Sequence, residues 1–189
     1  MACEVLSGCG VRAAGIGRGR QRGLTAFELM VALGITALLA TLAVPGFAGL
    51  RRAAGITTAA NELIGALHMA RSSAGLRGLP VTVCLTRDER TCVSSPDAIG
   101  LGWLVFRSLG QSLAPQPSTP EDVLQVFQLP PDVTVTGTRP AVTFWPVSRS
   151  GTTGTFELCD LASRAPGRAI VVSQTGRPRV AAEAPRCAL

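Results

Sequence analysis

The chain contains no lysine and no tyrosine, and it has a single histidine among 189 residues. All 18 basic residues are therefore arginines, which are planar cations that stay charged at physiological pH. With one histidine and no Cys-x-x-Cys pair, the sequence lacks the ligand spacing of a zinc site. It also lacks a glycine-rich phosphate loop and a histidine–carboxylate–nucleophile constellation. We therefore expect no enzymatic activity, no cofactor and no bound metal.

Charge is scarce near the N-terminus. Between Leu24 and Leu50, the only formal charge is that of Glu28. An apolar helix of this length matches the thickness of a bilayer, and an ionisable group inside such a helix is costly, so by default it marks a function. A basic segment that ends in Gly23 precedes the apolar run, and its arginines are Arg12, Arg18, Arg20 and Arg22.

Three interpretations of this N-terminal segment differ in where the chain would be cut. An ordinary secretory signal is cleaved after its apolar core, whereas here the glycine precedes the core. A plain membrane anchor explains the apolar length but gives no role to Gly23 or Glu28. The stretch Gly-Leu-Thr-Ala-Phe-Glu-Leu at 23–29 resembles the class III leader of type IV pilins and type II secretion pseudopilins. That leader reads Gly-Phe-Thr-Leu-x-Glu-Leu.

The resemblance implies that a prepilin peptidase removes residues 1–23 by cutting between Gly23 and Leu24, and the family often methylates the new amine. Residues 24–50 would form a transmembrane and later filament-forming half-helix, in agreement with the arginines on the cytoplasmic side. The chain would cross the inner membrane once, with its head at 51–189 in the periplasm. It would then enter a pilus or pseudopilus at the cell surface.

The resemblance also assigns a role to Glu28. In pilin-like filaments its counterpart faces the freed N-terminal amine, often that of a neighbouring subunit, and a buried carboxylate needs such a cation. The pair would fix the axial register of the subunits. The alternative is a glutamate solvated near the membrane surface.

The pattern of apolar residues changes after residue 50, from a continuous apolar run to a stripe along one face of a helix. Pro45, with Gly46 and Gly49, predicts a kink or a locally melted turn. Beyond it, an amphipathic helix is expected to about residue 75 and to pack one stripe onto a sheet. The residues of that stripe are Ile56, Ala60, Leu63, Leu67, Ala70 and Ala74.

Strand patterns replace the helical period after Gly78 and are separated by glycine and proline turns. We predict strands at 79–86, 102–107, 123–129, 133–138, 141–147, 155–159 and 168–173, with an exposed loop at 110–120. The predicted fold class is α+β and type IV pilin-like. A long N-terminal helix, whose apolar half protrudes, would pack on a C-terminal antiparallel β-rich domain.

The order of segments resembles one pilin branch, the GspH/FimT family of minor pilins and pseudopilins. The resemblance covers nearly the whole chain after the leader. It rests on the leader and on four further segments taken together: Ala-Arg-Ser at 70–72, Gly-Leu-Pro-Val-Thr-Val-Cys at 78–84, Gly-Trp-Leu-Val-Phe at 102–106, and Gly-Thr-Phe-Glu-Leu-Cys at 154–159.

Two of the six cysteines, Cys3 and Cys9, fall in the leader. The other four remain in a chain that the leader directs out of the cytoplasm, where disulfides persist. Four cysteines allow three pairings. We favour Cys84–Cys92, which closes a short polar loop, and Cys159–Cys187, which ties the tail to a strand. A metal site is the alternative.

The second candidate site is Gly176-Arg177-Pro178-Arg179, just past the predicted strand at 168–173. Residues two apart in an extended chain project to one side, so both arginines would face one partner. Arg164, Arg168 and Arg186 lie nearby in sequence. Such a cluster suits phosphate contacts, which give affinity without reading sequence. The alternatives are solvated surface arginines and an acidic protein partner.

On the FimT side of the family, a Gly-Arg-x-Arg motif near the C-terminus is associated with DNA binding in natural transformation. The resemblance thus predicts a minor pilin that binds double-stranded DNA through Arg177 and Arg179, with Gly176 in the turn and Arg168, Arg164 and Arg186 as weaker contributors. Its other partners would be pilin or pseudopilin subunits, the prepilin peptidase and the inner membrane. The alternative function is a structural minor pseudopilin of the type II secretion system.

Overall fold

The structure is a computed structural model that describes residues 25–108, 115–147, 151–185 and 187. One long helix, α1, spans Ala26–Arg77. Eight strands follow it: β1 Val81–Thr86, β2 Gly102–Arg107, β3 Val123–Gln128, β4 Val133–Gly137, β5 Ala141–Phe144, β6 Gly154–Asp160, β7 Arg168–Val172 and β8 Pro178–Val180. A 3-10 helix, Pro120–Asp122, precedes β3. The predicted α+β class is confirmed.

The chain divides into two compact units, Met1–Leu42 and Ala43–Leu189. In the first unit, Thr25 caps α1 because its Oγ1 accepts a hydrogen bond from the Glu28 N–H at 3.2 Å. Large apolar side chains there are exposed, and Phe27 keeps 77% of its surface in solvent. Within the described residues, no helix combines the length and the hydropathy that a membrane crossing needs.

In the second unit, α1 ends at Arg77 because Gly78 takes a left-handed conformation, with φ of 67°. The Gly78 N–H donates to the Ala74 carbonyl at 3.1 Å, and this satisfies one of the last open carbonyls of the helix. The helix is continuous at Pro45, so of the kink or locally melted turn predicted there, the melted turn is wrong.

Two antiparallel sheets form the β-part. The first has the strand order β3-β2-β1-β5, and the second has the order β4-β6-β7-β8. They are joined where Gly100 and Val135 exchange both backbone hydrogen bonds, at 2.7 and 3.2 Å. The strand β8 was not predicted, because a three-residue segment that begins with proline carries almost no strand pattern.

The main core is drawn from α1 and from both sheets. The predicted stripe is confirmed, since each of its six residues is at most 1% exposed. All buried members of this core lie between Ile56 and Val172. The buried residues of the core therefore all lie within residues 51–189, which we call the head.

The two predicted disulfide pairings, Cys84–Cys92 and Cys159–Cys187, are those of the structure, so these cysteines form no metal site. In the loop between Cys84 and Cys92, the Asp88 carboxylate accepts hydrogen bonds from the backbone N–H groups of Thr91 and Arg90 at 2.8 and 3.0 Å. These bonds hold the Asp88 pKa well below its usual range. The bonds therefore stabilise the loop at pH values above the ordinary carboxyl pKa. This stabilisation is lost as the pH falls through the lowered pKa of Asp88.

Candidate nucleic-acid interface

The arginine motif forms the tip and outer strand of a hairpin. Five residues, 173–177, join β7 to β8. Ser173 and Arg177 close a three-residue loop within this segment, in which Gly176 has φ of 69°. The Gly176 N–H donates to the Ser173 carbonyl at 2.8 Å, and the Ser173 N–H donates to the Arg177 carbonyl at 3.2 Å. Three-residue hairpin loops usually place glycine at this left-handed position. Gly176 is thus needed for the turn that presents Arg177.

The hairpin lies at the edge of the second sheet, because β8 is its last strand. Proline within a sheet is tolerated at such an edge, where no neighbour needs its missing N–H. Pro178 is paired with Val172, and Arg179 with Val171. Arg177 and Arg179 are two residues apart and flank Pro178, so they face the same side. Both are exposed, as the motif predicts.

The pairing of β7 with β6 and β8 shows that Arg168 does not lie beside Arg177 and Arg179. Arg168 opens β7 and is paired with Leu158, whereas Arg179 is paired with Val171 three residues further along β7. An odd number of residues places Arg168 on the opposite face of the sheet, about 10 Å away along the strand. Arg168 is exposed, but it does not join Arg177 and Arg179 in one cluster.

Arg164 is held at the far end of the second sheet by Asp160. The Arg164 N–H donates to Asp160 Oδ2 at 2.7 Å, and the Ser163 N–H donates to the Asp160 carbonyl at 2.9 Å. Asp160 is 1% exposed, and its Oδ1 lies 4.0 Å from Arg52 Nε on α1. This carboxylate shapes the β6–β7 loop. The Arg164 side chain is exposed but remote from the hairpin tip.

Of the remaining predicted residues, the structure describes only Glu28. Arg186, Gly23 and Leu24 lie outside the described residues. Glu28 lies in the first turn of α1, three residues after the capping Thr25, and its side chain is exposed. A carboxylate at this position interacts favourably with the positive end of the helix dipole. That interaction gives Glu28 a local role at the start of the helix.

A disulfide bond ties the tail that follows β8 to the second sheet. Cys187 is bonded to Cys159 on β6, and the tail passes over Gly167, just before Arg168. A Cβ on Gly167 would stand 2.5 Å from Cys187 Sγ and 2.7 Å from the Leu158 carbonyl oxygen. The sulfur therefore occupies space that only glycine leaves open.

Replacing Cys159 and Cys187 together by serine should lower the free energy of unfolding of the head by about 3–4 kcal/mol. The bond closes a loop with a sequence separation of 28 residues, and opening it returns that freedom to the unfolded chain. Urea denaturation of oxidised wild type and variant measures the loss. The Cys84→Ser/Cys92→Ser variant, with a separation of 8, is the control and should lose less, about 2–3 kcal/mol. Equal losses would contradict the loop-length argument.

Comparison with known proteins identifies one family. Residues 59–176, more than half of the chain, match the family model of the type II transport protein GspH. The matched region begins in the second part of α1 and ends at Gly176. No curated protein sequence matches the chain.

Two solved structures are similar in fold. The type IV minor pilin FimU of Pseudomonas aeruginosa is 23% identical over 69% of this chain and 97% of its own, with a TM-score of 0.49. The minor pseudopilin EpsH from the type 2 secretion system of Vibrio cholerae is 13% identical over 67% of this chain and 95% of its own, with a TM-score of 0.47.

Proposed function

The chain belongs to the GspH family of minor pilins and pseudopilins. From the exposed arginines of the β7–β8 hairpin, we propose that it is a type IV pilus subunit whose head binds double-stranded DNA during natural transformation. Binding would be independent of sequence. Arg177 and Arg179 would contact phosphates, and Gly176 would shape the turn that presents them. Membership in the family implies assembly with other pilin subunits.

The observation that carries this proposal is the uncompensated charge of the hairpin. Arg177 and Arg179 are both exposed, and neither has a carboxylate within 4.0 Å among the described residues. Arginine presents a planar fork that matches a phosphate. A short hairpin with a glycine turn and Pro178 holds the two side chains in a fixed spacing, which reduces the ordering cost of binding.

Arg168 and Arg164 contribute less in this proposal. They lie on the opposite face or at the far end of the second sheet, so they attract DNA at long range without touching the phosphates that Arg177 and Arg179 contact. Arg186 lies outside the described residues. It remains a proposed weaker contributor because it is close to the motif in sequence.

The head should bind a mixed-sequence duplex with an affinity that falls steeply with salt. Each neutralised phosphate releases counterions, so the logarithm of the binding constant should fall linearly with the logarithm of the salt concentration. Gel shift and fluorescence anisotropy between about 50 and 200 mM salt measure this. Two duplexes of unrelated sequence should bind equally. Absence of binding at low salt would refute DNA binding.

A structural pseudopilin of the type II secretion system is the second candidate, and the description of the matching family model favours it. In that case the head works through protein contacts within the filament. Deleting the gene separates the two candidates. Loss of transformation with normal protein secretion supports the pilus, and the reverse supports the secretion system.

We also propose that the chain is cut between Gly23 and Leu24, and that residues 24–50 anchor it in the inner membrane before assembly. The exposed apolar side chains of α1, such as Phe27 and Met30, then pack against other subunits. The new amine would lie four residues before Glu28 and would neutralise the Glu28 carboxylate of a neighbouring subunit.

A further inference from the structure

The topology brings a third exposed arginine, Arg139, to the same end of the second sheet as the hairpin tip. We propose that Arg139 is a direct phosphate contact, and that with Arg177 and Arg179 it forms one DNA-binding rim whose affinity is limited by Asp97. The inference rests on the proposed function and extends it to two residues that the sequence motif does not include.

Strand register places Thr138, the residue before Arg139, at the opposite end of a row that contains Arg179. Thr155 is paired with Val171, and Val171 with Arg179. On the other side of Thr155, its N–H donates to Thr138 Oγ1 at 3.0 Å, and the Thr138 N–H donates to the Thr155 carbonyl at 3.0 Å. The row therefore runs from β8 across β7 and β6 to Thr138, one residue past the end of β4. Arg139 follows Thr138 in the bend that leads to β5, so the alternation of faces along a strand, which separates Arg168 from the pair, does not apply to Arg139.

The length of this row suits a duplex. Neighbouring strands lie about 4.8 Å apart, so three spacings separate the backbones of Thr138 and Arg179 by about 14 Å. The major groove of B-DNA is about 12 Å wide. With Arg139 beside one end of the row and Arg179 at the other, this backbone spacing is long enough for contacts with phosphates on both sides of a groove.

The charge around Arg139 fits the same role. Arg139 is exposed and has no carboxylate within 4.0 Å in the part of the chain that the structure describes. Asp97 is an acid that the backbone brings to this end, because the Asp97 N–H donates to the Gly137 carbonyl at 3.0 Å. It is exposed, and its negative charge repels a phosphate bound at Arg139.

Replacing Arg139 by alanine should weaken binding of the head to a mixed-sequence duplex by about tenfold, as expected for one charge-assisted hydrogen bond. The slope of the salt dependence should become shallower by about 0.9, because one phosphate contact is lost. Arg51→Ala is the matched control. Arg51 is exposed, and its neighbour Arg52 lies beside Asp160 at the other end of the second sheet, so the variant removes the same charge away from the rim and should leave the slope unchanged.

Replacing Asp97 by asparagine should strengthen binding by about twofold or more, on the order of one surface charge interaction. Asp97 has φ of 60°, a conformation that asparagine also adopts, and the backbone hydrogen bond to Gly137 is retained. A gain in affinity is an effect that damage to the fold does not produce.

The outcomes separate the two proposals. If Arg139→Ala behaves like Arg51→Ala, or if Asp97→Asn does not bind more tightly, the rim is refuted while binding through the hairpin stands. If the wild-type head does not bind the duplex at low salt, the proposed function fails first, and the rim fails with it.

Discussion

Replacing Arg177 and Arg179 together by alanine should lower the affinity of the head for duplex DNA by about 100-fold at low salt. Each arginine that donates to a phosphate contributes about 1.5 kcal/mol, and each such loss is about a tenfold change in the dissociation constant. The salt dependence should become shallower by about 1.8, because two phosphate contacts disappear. Fluorescence anisotropy over a salt series yields both numbers.

Two controls sharpen this test. The Arg164→Ala/Arg168→Ala variant removes two charges from the same sheet and should change the affinity less and the slope little. The Arg177→Lys/Arg179→Lys variant keeps both charges but loses the planar fork, so its affinity should lie between wild type and the alanine variant. All variants should unfold near the wild-type temperature, because the replaced side chains are exposed. Equal losses in both alanine variants would mean that net charge, not the hairpin, binds DNA.

Replacing Gly23 by arginine should leave the chain unprocessed. The leader resemblance places the scissile bond directly after Gly23, and a long cationic side chain there would fill the space that glycine leaves beside that bond. Intact-mass spectrometry of membrane fractions should show the full-length chain in the variant. In the wild type it should show a chain that begins at Leu24, with or without a methyl group.

The matched control is Gly19→Arg, which makes the same change four residues earlier and should be processed normally. A wild-type chain that begins at any residue other than Leu24 would refute the cleavage site. It would also leave Glu28 with only its local position in the first turn of α1, next to the capping Thr25.

Most of the fold follows from periodicity. The spacing of three and four between Ile56 and Ala74 predicted the buried face of α1, and each predicted residue is buried. Seven strands were predicted within a few residues of their bounds, although β5 ends at Phe144 rather than at 147. The helix runs two residues past its predicted end, because the left-handed Gly78 rather than Gly75 ends it.

The candidate site was predictable only in part. A motif reveals spacing along one strand, so Arg177 and Arg179 were found from the sequence. Which residue of a neighbouring strand lies opposite depends on register, which local patterns do not encode. For that reason Arg168 was grouped with the pair although it faces the other way, and Arg139 was missed although it lies at the same end of the sheet.

Pro178 has a consequence for crowded assemblies. An open sheet edge offers unpaired backbone groups to any similar strand, and copies of one protein packed side by side meet such edges constantly. At β8 the proline withholds one donor, the strand is three residues long, and the flanking cations repel their own counterparts. The edge of the hairpin therefore resists β-aggregation with neighbouring copies.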